Sequence, residues 1–110
     1  MACSFRSCSV GSGSPVSTWP EISGSTFSGN QGGNGGAMFT NGPLTVTGST
    51  FTDNSAQLFG GAIYNTGVVT VSGSTFSDNA ASTAGGLTGG GAIYAQNSSV
   101  TVSGSTFAGN

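Results

Sequence analysis

GGAIYNTGVVTVSGSTFSDN, Gly60 to Asn79, is the unit from which this chain is built. A variant copy, GGAMFTNGPLTVTGSTFTDN, runs from Gly35 to Asn54, and a third, GGAIYAQNSSVTVSGSTFAGN, from Gly90 to Asn110. ISGSTFSGN, Ile22 to Asn30, is the tail of a fourth. Self-similarity at a period of roughly 20–50 residues marks a solenoid or a repeat array. Phe27, Phe51, Phe76 and Phe107 set the register at intervals of 24, 25 and 31 residues. The longer third interval comes mainly from a Gly/Ala/Thr-rich stretch, residues 80–91, which reads as an insertion loop.

Within each copy the pattern has period two. Valines alternate with small hydroxyl residues in Val69-Thr70-Val71-Ser72, and Leu44-Thr45-Val46-Thr47 and Val100-Thr101-Val102-Ser103 agree. Such alternation with β-branched residues predicts a half-buried strand. Gly-Ser then turns the chain, Ser-Thr-Phe makes a second short strand, and after x-x-Asn the Gly-Gly-Ala-Ile-Tyr run makes a third. Three strands in about 24–25 residues is one turn of a parallel β-solenoid. The expected fold is therefore all-β, a parallel β-helix of about three and a half coils over residues 21–110. Residues 1–20 match the repeat poorly and read as an N-terminal cap or arm.

Stacking of coils converts sequence offsets into columns, because strands repeat every ~4.8 Å along the axis. Phe27, Phe51, Phe76 and Phe107 are expected to form an internal aromatic stack. Val46, Val71 and Val102, and Met38, Ile63 and Ile93, become aliphatic columns. Ala37, Ala62 and Ala92 fill a tight corner, and the glycines before them supply close approach or positive φ. Asn30, Asn54, Asn79 and Asn110 read as a corner ladder, since Asn tolerates turn conformations and bonds backbone or its neighbour. Solvated loop asparagines are the plainer alternative.

Composition excludes several functions. The 110 residues hold four charged side chains, Arg6, Glu21, Asp53 and Asp78, and neither His nor Lys. A nucleic-acid partner, whose binding rests on Lys and Arg at phosphates, is not expected. No apolar run approaches the roughly 18 residues that span a bilayer, so this segment is not expected to insert in a membrane. Residues 1–20 show no secretory leader, so export would be signalled by a segment outside these residues. Cys3 and Cys8 fit either a disulfide or two free thiols, and are too few for a zinc site. No cofactor is expected.

GGAI at Gly60–Ile63 and Gly90–Ile93, with Gly35–Met38 as a variant, alternates with FxxN at Phe27–Asn30, Phe51–Asn54, Phe76–Asn79 and Phe107–Asn110. This pairing resembles the polymorphic outer membrane protein repeat, best known from chlamydial autotransporter passengers. The resemblance covers Ile22 to Asn110. It implies a right-handed parallel β-helix, an extracellular or cell-surface location associated with the outer membrane, and adhesin-like use toward a host or carbohydrate ligand. Two departures stand out: such passengers run to many coils, and no membrane β-barrel follows Asn110.

Asp53 and Asp78, at equivalent positions of adjacent coils, are the only paired acids. They suit a turn, a weak Ca²⁺ site or a hydrolytic pair. Gly29 and Gly109 replace them in the flanking coils, so the turn reading leads and no catalytic residue is assigned; the chain is not expected to be an enzyme. Thr45, Thr47, Thr70, Ser72, Thr101 and Ser103 should project from one outer face, and Thr26, Thr50, Thr75 and Thr106 from the next. A flat lattice of this kind suits an ice surface, while Thr is also simply a good exposed strand residue. Tyr64 and Tyr94, after Phe39, suit either a sugar-docking ladder or packing against the insertion loop.

The residues together point to a non-enzymatic structural or adhesin-like module. Unpaired solenoid ends with few charges suggest a second role, self-association end to end into a filament. An ice-binding protein is the third.

Overall fold

The computed structural model describes residues 21–82 and 89–110. The first circuit carries β1 (Glu21–Ser23), β2 (Thr26–Ser28), β3 (Gln31–Asn34) and β4 (Met38–Thr40). The second carries β5 (Leu44–Thr47), β6 (Thr50–Thr52), β7 (Ser55–Phe59) and β8 (Ile63–Asn65). The third carries β9 (Val69–Ser72), β10 (Thr75–Ser77), β11 (Ala80–Ala81) and β12 (Ile93–Ala95), and β13 (Val100–Ser103) and β14 (Thr106–Ala108) begin a fourth. Every strand pairs in parallel with its equivalent one coil away: β1-β5-β9-β13 as sheet A, β2-β6-β10-β14 as sheet B, β3-β7-β11 as sheet C and β4-β8-β12 as sheet D. The described residues form three and a half circuits of a parallel β-solenoid.

Each circuit has four strands, where the sequence pattern indicated three. The missed element is sheet C, the segment after each FxxN. QGGN and SAQLF have no apolar alternation, so no period-two signal marks them. Backbone pairing to the neighbouring coil holds them instead, with a register shift between Gly32 and Asn34. The expected insertion loop is also narrower than residues 80–91: Ala80–Ala81 pair with Ser55 and Ala56, and Gly89 bridges to Phe59. The expected cap, residues 1–20, with Cys3 and Cys8, lies outside the described residues.

The columns form as the offsets require. Phe27, Phe51, Phe76 and Phe107 stack with centroids 4.6, 4.7 and 4.7 Å apart and planes within 5°. Those separations exceed the ~3.5–4 Å of carbon contact, so the rings are offset, which relieves face-to-face quadrupole repulsion. Ile22, Val46 and Val71 bury beside them from sheet A, as do Leu44 and Val69, with Met38 and Ile63 from sheet D. The Ala37, Ala62 and Ala92 corner is buried. Of the two glycines before it, one meets each demand. Gly60 has φ 66°, while a Cβ on Gly61 would lie 1.9 Å from the carbonyl oxygen of Gly91.

Two polar ladders climb inside the corners. Asn30 donates from its backbone N and its Nδ2 to Oδ1 of Asn54, at 3.1 and 2.9 Å. Asn54 does the same to Asn79, and Asn79 to Asn110. The second Nδ2 hydrogen of Asn54 reaches the carbonyl of Phe27 at 3.0 Å, and Asn79 and Asn110 repeat this to Phe51 and Phe76. Asn30, Asn54 and Asn79 are buried, so the solvated-loop alternative falls. The second ladder was not anticipated. The backbone N of Ser25 donates to Ser49 Oγ at 3.2 Å, Ser49 to Ser74 and Ser74 to Ser105, and each hydroxyl in turn donates to a carbonyl two residues back. Its signal was present: these serines recur at one offset as strictly as the asparagines.

Candidate functional site

The outer surface of sheet A is the most regular feature the fold presents. Strand alternation sends Leu44, Val46, Val69 and Val71 inward and the residues between them outward. Thr45 pairs in register with Thr70 and Thr70 with Thr101, and Thr47, Ser72 and Ser103 form the parallel column. Five of the six side chains are exposed, and Ser72 is half-buried. None of the six hydroxyls makes a hydrogen bond among the described residues, whereas the serine and asparagine side chains of the corners bond within the solenoid. The one charge on this face among the described residues is Glu21, at the first rung of the threonine column.

Sheet B presents a second column, Thr26, Thr50, Thr75 and Thr106, in register. Its neighbouring column differs from that of sheet A. Ser77 Oγ lies 3.0 Å from Thr52 Oγ1, and Thr52 Oγ1 donates at 3.4 Å to Asp53 Oδ2. The hydroxyls there are partly spent on one another, and the column ends in Ala108.

Asp53 and Asp78 are exposed, with φ of 54° and 55°. Gly29 and Gly109, one coil below and above, have φ of 65° and 66° at the same position. The left-handed conformation explains the alternation of Asp with Gly, since both adopt it more readily than most residues. Among the described residues no group of three or more His, Cys, Asp or Glu side chains gathers to hold a metal. The turn accounts for these aspartates without further chemistry.

The outward aromatics of sheet D make a ladder of their own. Phe39 stacks on Tyr64 at 4.8 Å, Tyr64 on Tyr94 at 5.5 Å, and Phe59 packs against Tyr94 at 4.6 Å. The Tyr64 hydroxyl donates to Gln96 Oε1. Tyr64 is buried with Phe39 and Tyr94 over its two faces, so it offers no open ring face on which a sugar could dock. A groove of about 380 Å³ crosses sheet C between Gln31, Ser55, Gln57 and Ser82, and no charged side chain lines it.

The model of the right-handed beta helix region matches residues 3–110, nearly the whole chain. No curated protein and no solved structure matches it. The four in-register parallel sheets and the extent of that match agree, and the chain belongs to the right-handed β-helix family.

Proposed function

We propose that this chain is a non-enzymatic structural module of a cell-surface or secreted protein, with an adhesin-like role carried by the outer face of sheet A. The observation behind this reading is the state of the six hydroxyls there: in register, outward and without a hydrogen bond among the described residues. Buried ladders make the scaffold rigid, so an array on its surface loses little side-chain freedom on meeting a partner. The GGAI and FxxN motifs, with their resemblance to autotransporter passengers, support the surface location. The left-handed turn position of Asp53 and Asp78 supports a role in folding rather than catalysis. The chain displayed on an inert cell should attach to polysaccharide- or host-cell-coated surfaces, and Thr45→Ala/Thr70→Ala/Thr101→Ala should abolish attachment without lowering the melting temperature. Polysaccharide cleavage by the purified chain, lost in Asp53→Asn or Asp78→Asn, would overturn it.

A second reading, association of copies end to end, is favoured by the repeat of the same backbone bonding from coil to coil. Neighbouring coils exchange N–H···O=C bonds in both directions: Gly24 and Gly29 donate to Thr47 and Thr52 of the following coil, and Thr50 and Ser55 donate back to Ser25 and Asn30. Successive coils are therefore complementary head to tail. On the last described coil Val100, Val102 and Phe107 are 41–45% exposed and, with Ala92 and Ile93, line a hollow of about 470 Å³. Light scattering of the 110-residue chain should show concentration-dependent assembly that Phe107→Lys prevents; a monomer at all concentrations rejects this reading.

A further inference from the structure

We propose that the ligand of the sheet A face is an ordered water lattice, so that this surface binds ice. The inference rests on the reading of sheet A as the functional face and names what that face would hold.

Coil spacing comes first. The phenylalanine stack measures the rise per coil as 4.6–4.7 Å, and the parallel register passes that rise to the outward columns. Tetrahedral water with an O–H···O length of about 2.75 Å places second-neighbour oxygens about 4.5 Å apart. Hydroxyls one coil apart therefore fall close to the interval at which oxygens recur in such a lattice. Along each strand, Thr45 and Thr47 are two residues apart, about 6.6 Å at the strand rise. The face is thus a two-dimensional grid rather than a single row.

Chemistry comes second. Threonine joins a hydroxyl, which donates and accepts, to a methyl around which water can order, and β-branching restricts the χ1 that places both. Thr45, Thr70 and Thr101 give an unbroken column of both groups. Thr47, Ser72 and Ser103 continue the hydroxyls, with the methyl present at Thr47 alone. Carboxylates and ammonium groups hold tight hydration shells of their own, and among the described residues Glu21 at the first rung is the only charge on the face. Other occupants find less. A sugar has no open aromatic face to lie on, and a charged polymer has no countercharge. A partner that repeats at the coil interval can use every hydroxyl at once.

Sheet B is the internal control. It has the same rise and a full threonine column, but its second column is broken: Ser77 bonds to Thr52 and Thr52 to Asp53, and Ala108 ends it without a hydroxyl.

The test is ice-recrystallisation inhibition and thermal hysteresis with the 110-residue chain. The chain should inhibit recrystallisation. Thr70→Lys, at the centre of sheet A, should abolish inhibition, while Thr75→Lys, at the centre of sheet B, should retain it. Circular dichroism and melting must show both variants folded; should Thr70→Lys fail that check, the near-isosteric Thr70→Val replaces it and should weaken inhibition. A folded parent chain without inhibition overturns the proposal, as does equal loss, or equal retention, in the two variants. Attachment to other surfaces through sheet A without ice activity would reject ice and leave the surface-module reading standing. Loss of both would reject both.

Discussion

The corners and the face of sheet A carry the same kinds of groups, hydroxyls and amides in coil-to-coil register, yet use them in opposite ways. Inside the corners each Asn54-type amide satisfies its donors and acceptor within the solenoid, and each Ser49-type hydroxyl both accepts and donates. On sheet A, Thr70 and its neighbours make no such bond among the described residues. A buried amide left without a partner costs far more than an exposed hydroxyl left to water, so the inner arrays are where stability is concentrated. The outer array makes no such bonds among the described residues, so its regularity owes either to the strand propensity of threonine or to a partner at the surface.

That contrast can be broken most sharply at Asn54. Asn54→Ala removes the acceptor for two Asn30 donors and the donor for the Phe27 carbonyl. At about 1–3 kcal/mol for each buried group left unpaired, a loss of at least 3 kcal/mol is expected in urea denaturation. A change under 1 kcal/mol would mean that water enters the corner and the ladder is not what holds it. Asn54→Ala/Asn79→Ala should cost less than the sum of the single changes, because the two share a bond; additivity within about 0.5 kcal/mol would show the rungs to be independent. Ser49→Ala removes one acceptor and one donor, and about 1–2 kcal/mol is expected by the same measurement. Thr70→Ala, on the outside, should change stability by no more than about 0.5 kcal/mol. A loss as large as that of Ser49→Ala would place sheet A's hydroxyls in the folding ledger and undo the comparison.

Much of this was legible in the residues. Equal offsets of phenylalanine, asparagine and valine identify what stacks on what, because parallel coils leave no other register for an in-phase repeat. The alternation in Val69-Thr70-Val71-Ser72 identifies which side chains face out, and the pairing of Asp53 and Asp78 with glycines in the neighbouring coils indicates a turn. Sheet C was not legible, because residues such as Gln31, Gly32 and Asn34 are ordered by their backbone partners and not by a buried face. The serine ladder recurs as plainly as the asparagines, but recurrence alone does not say whether a corner side chain turns inward to its neighbours or outward to water.

Repeat length, the parallel stacking of coils and the identity of the core columns follow from the linear pattern, since periodic burial needs only a fixed interval between like residues. Which polar groups spend their hydrogen bonds inside depends on the curvature of each corner and on atoms about 3 Å away in another coil, some 24 to 31 residues distant in the chain. That division separates Ser49 from Ser72 and Asn54 from the free hydroxyl of Thr70. It exists only once the coils are closed and stacked, because each partner is supplied by the next turn of the solenoid.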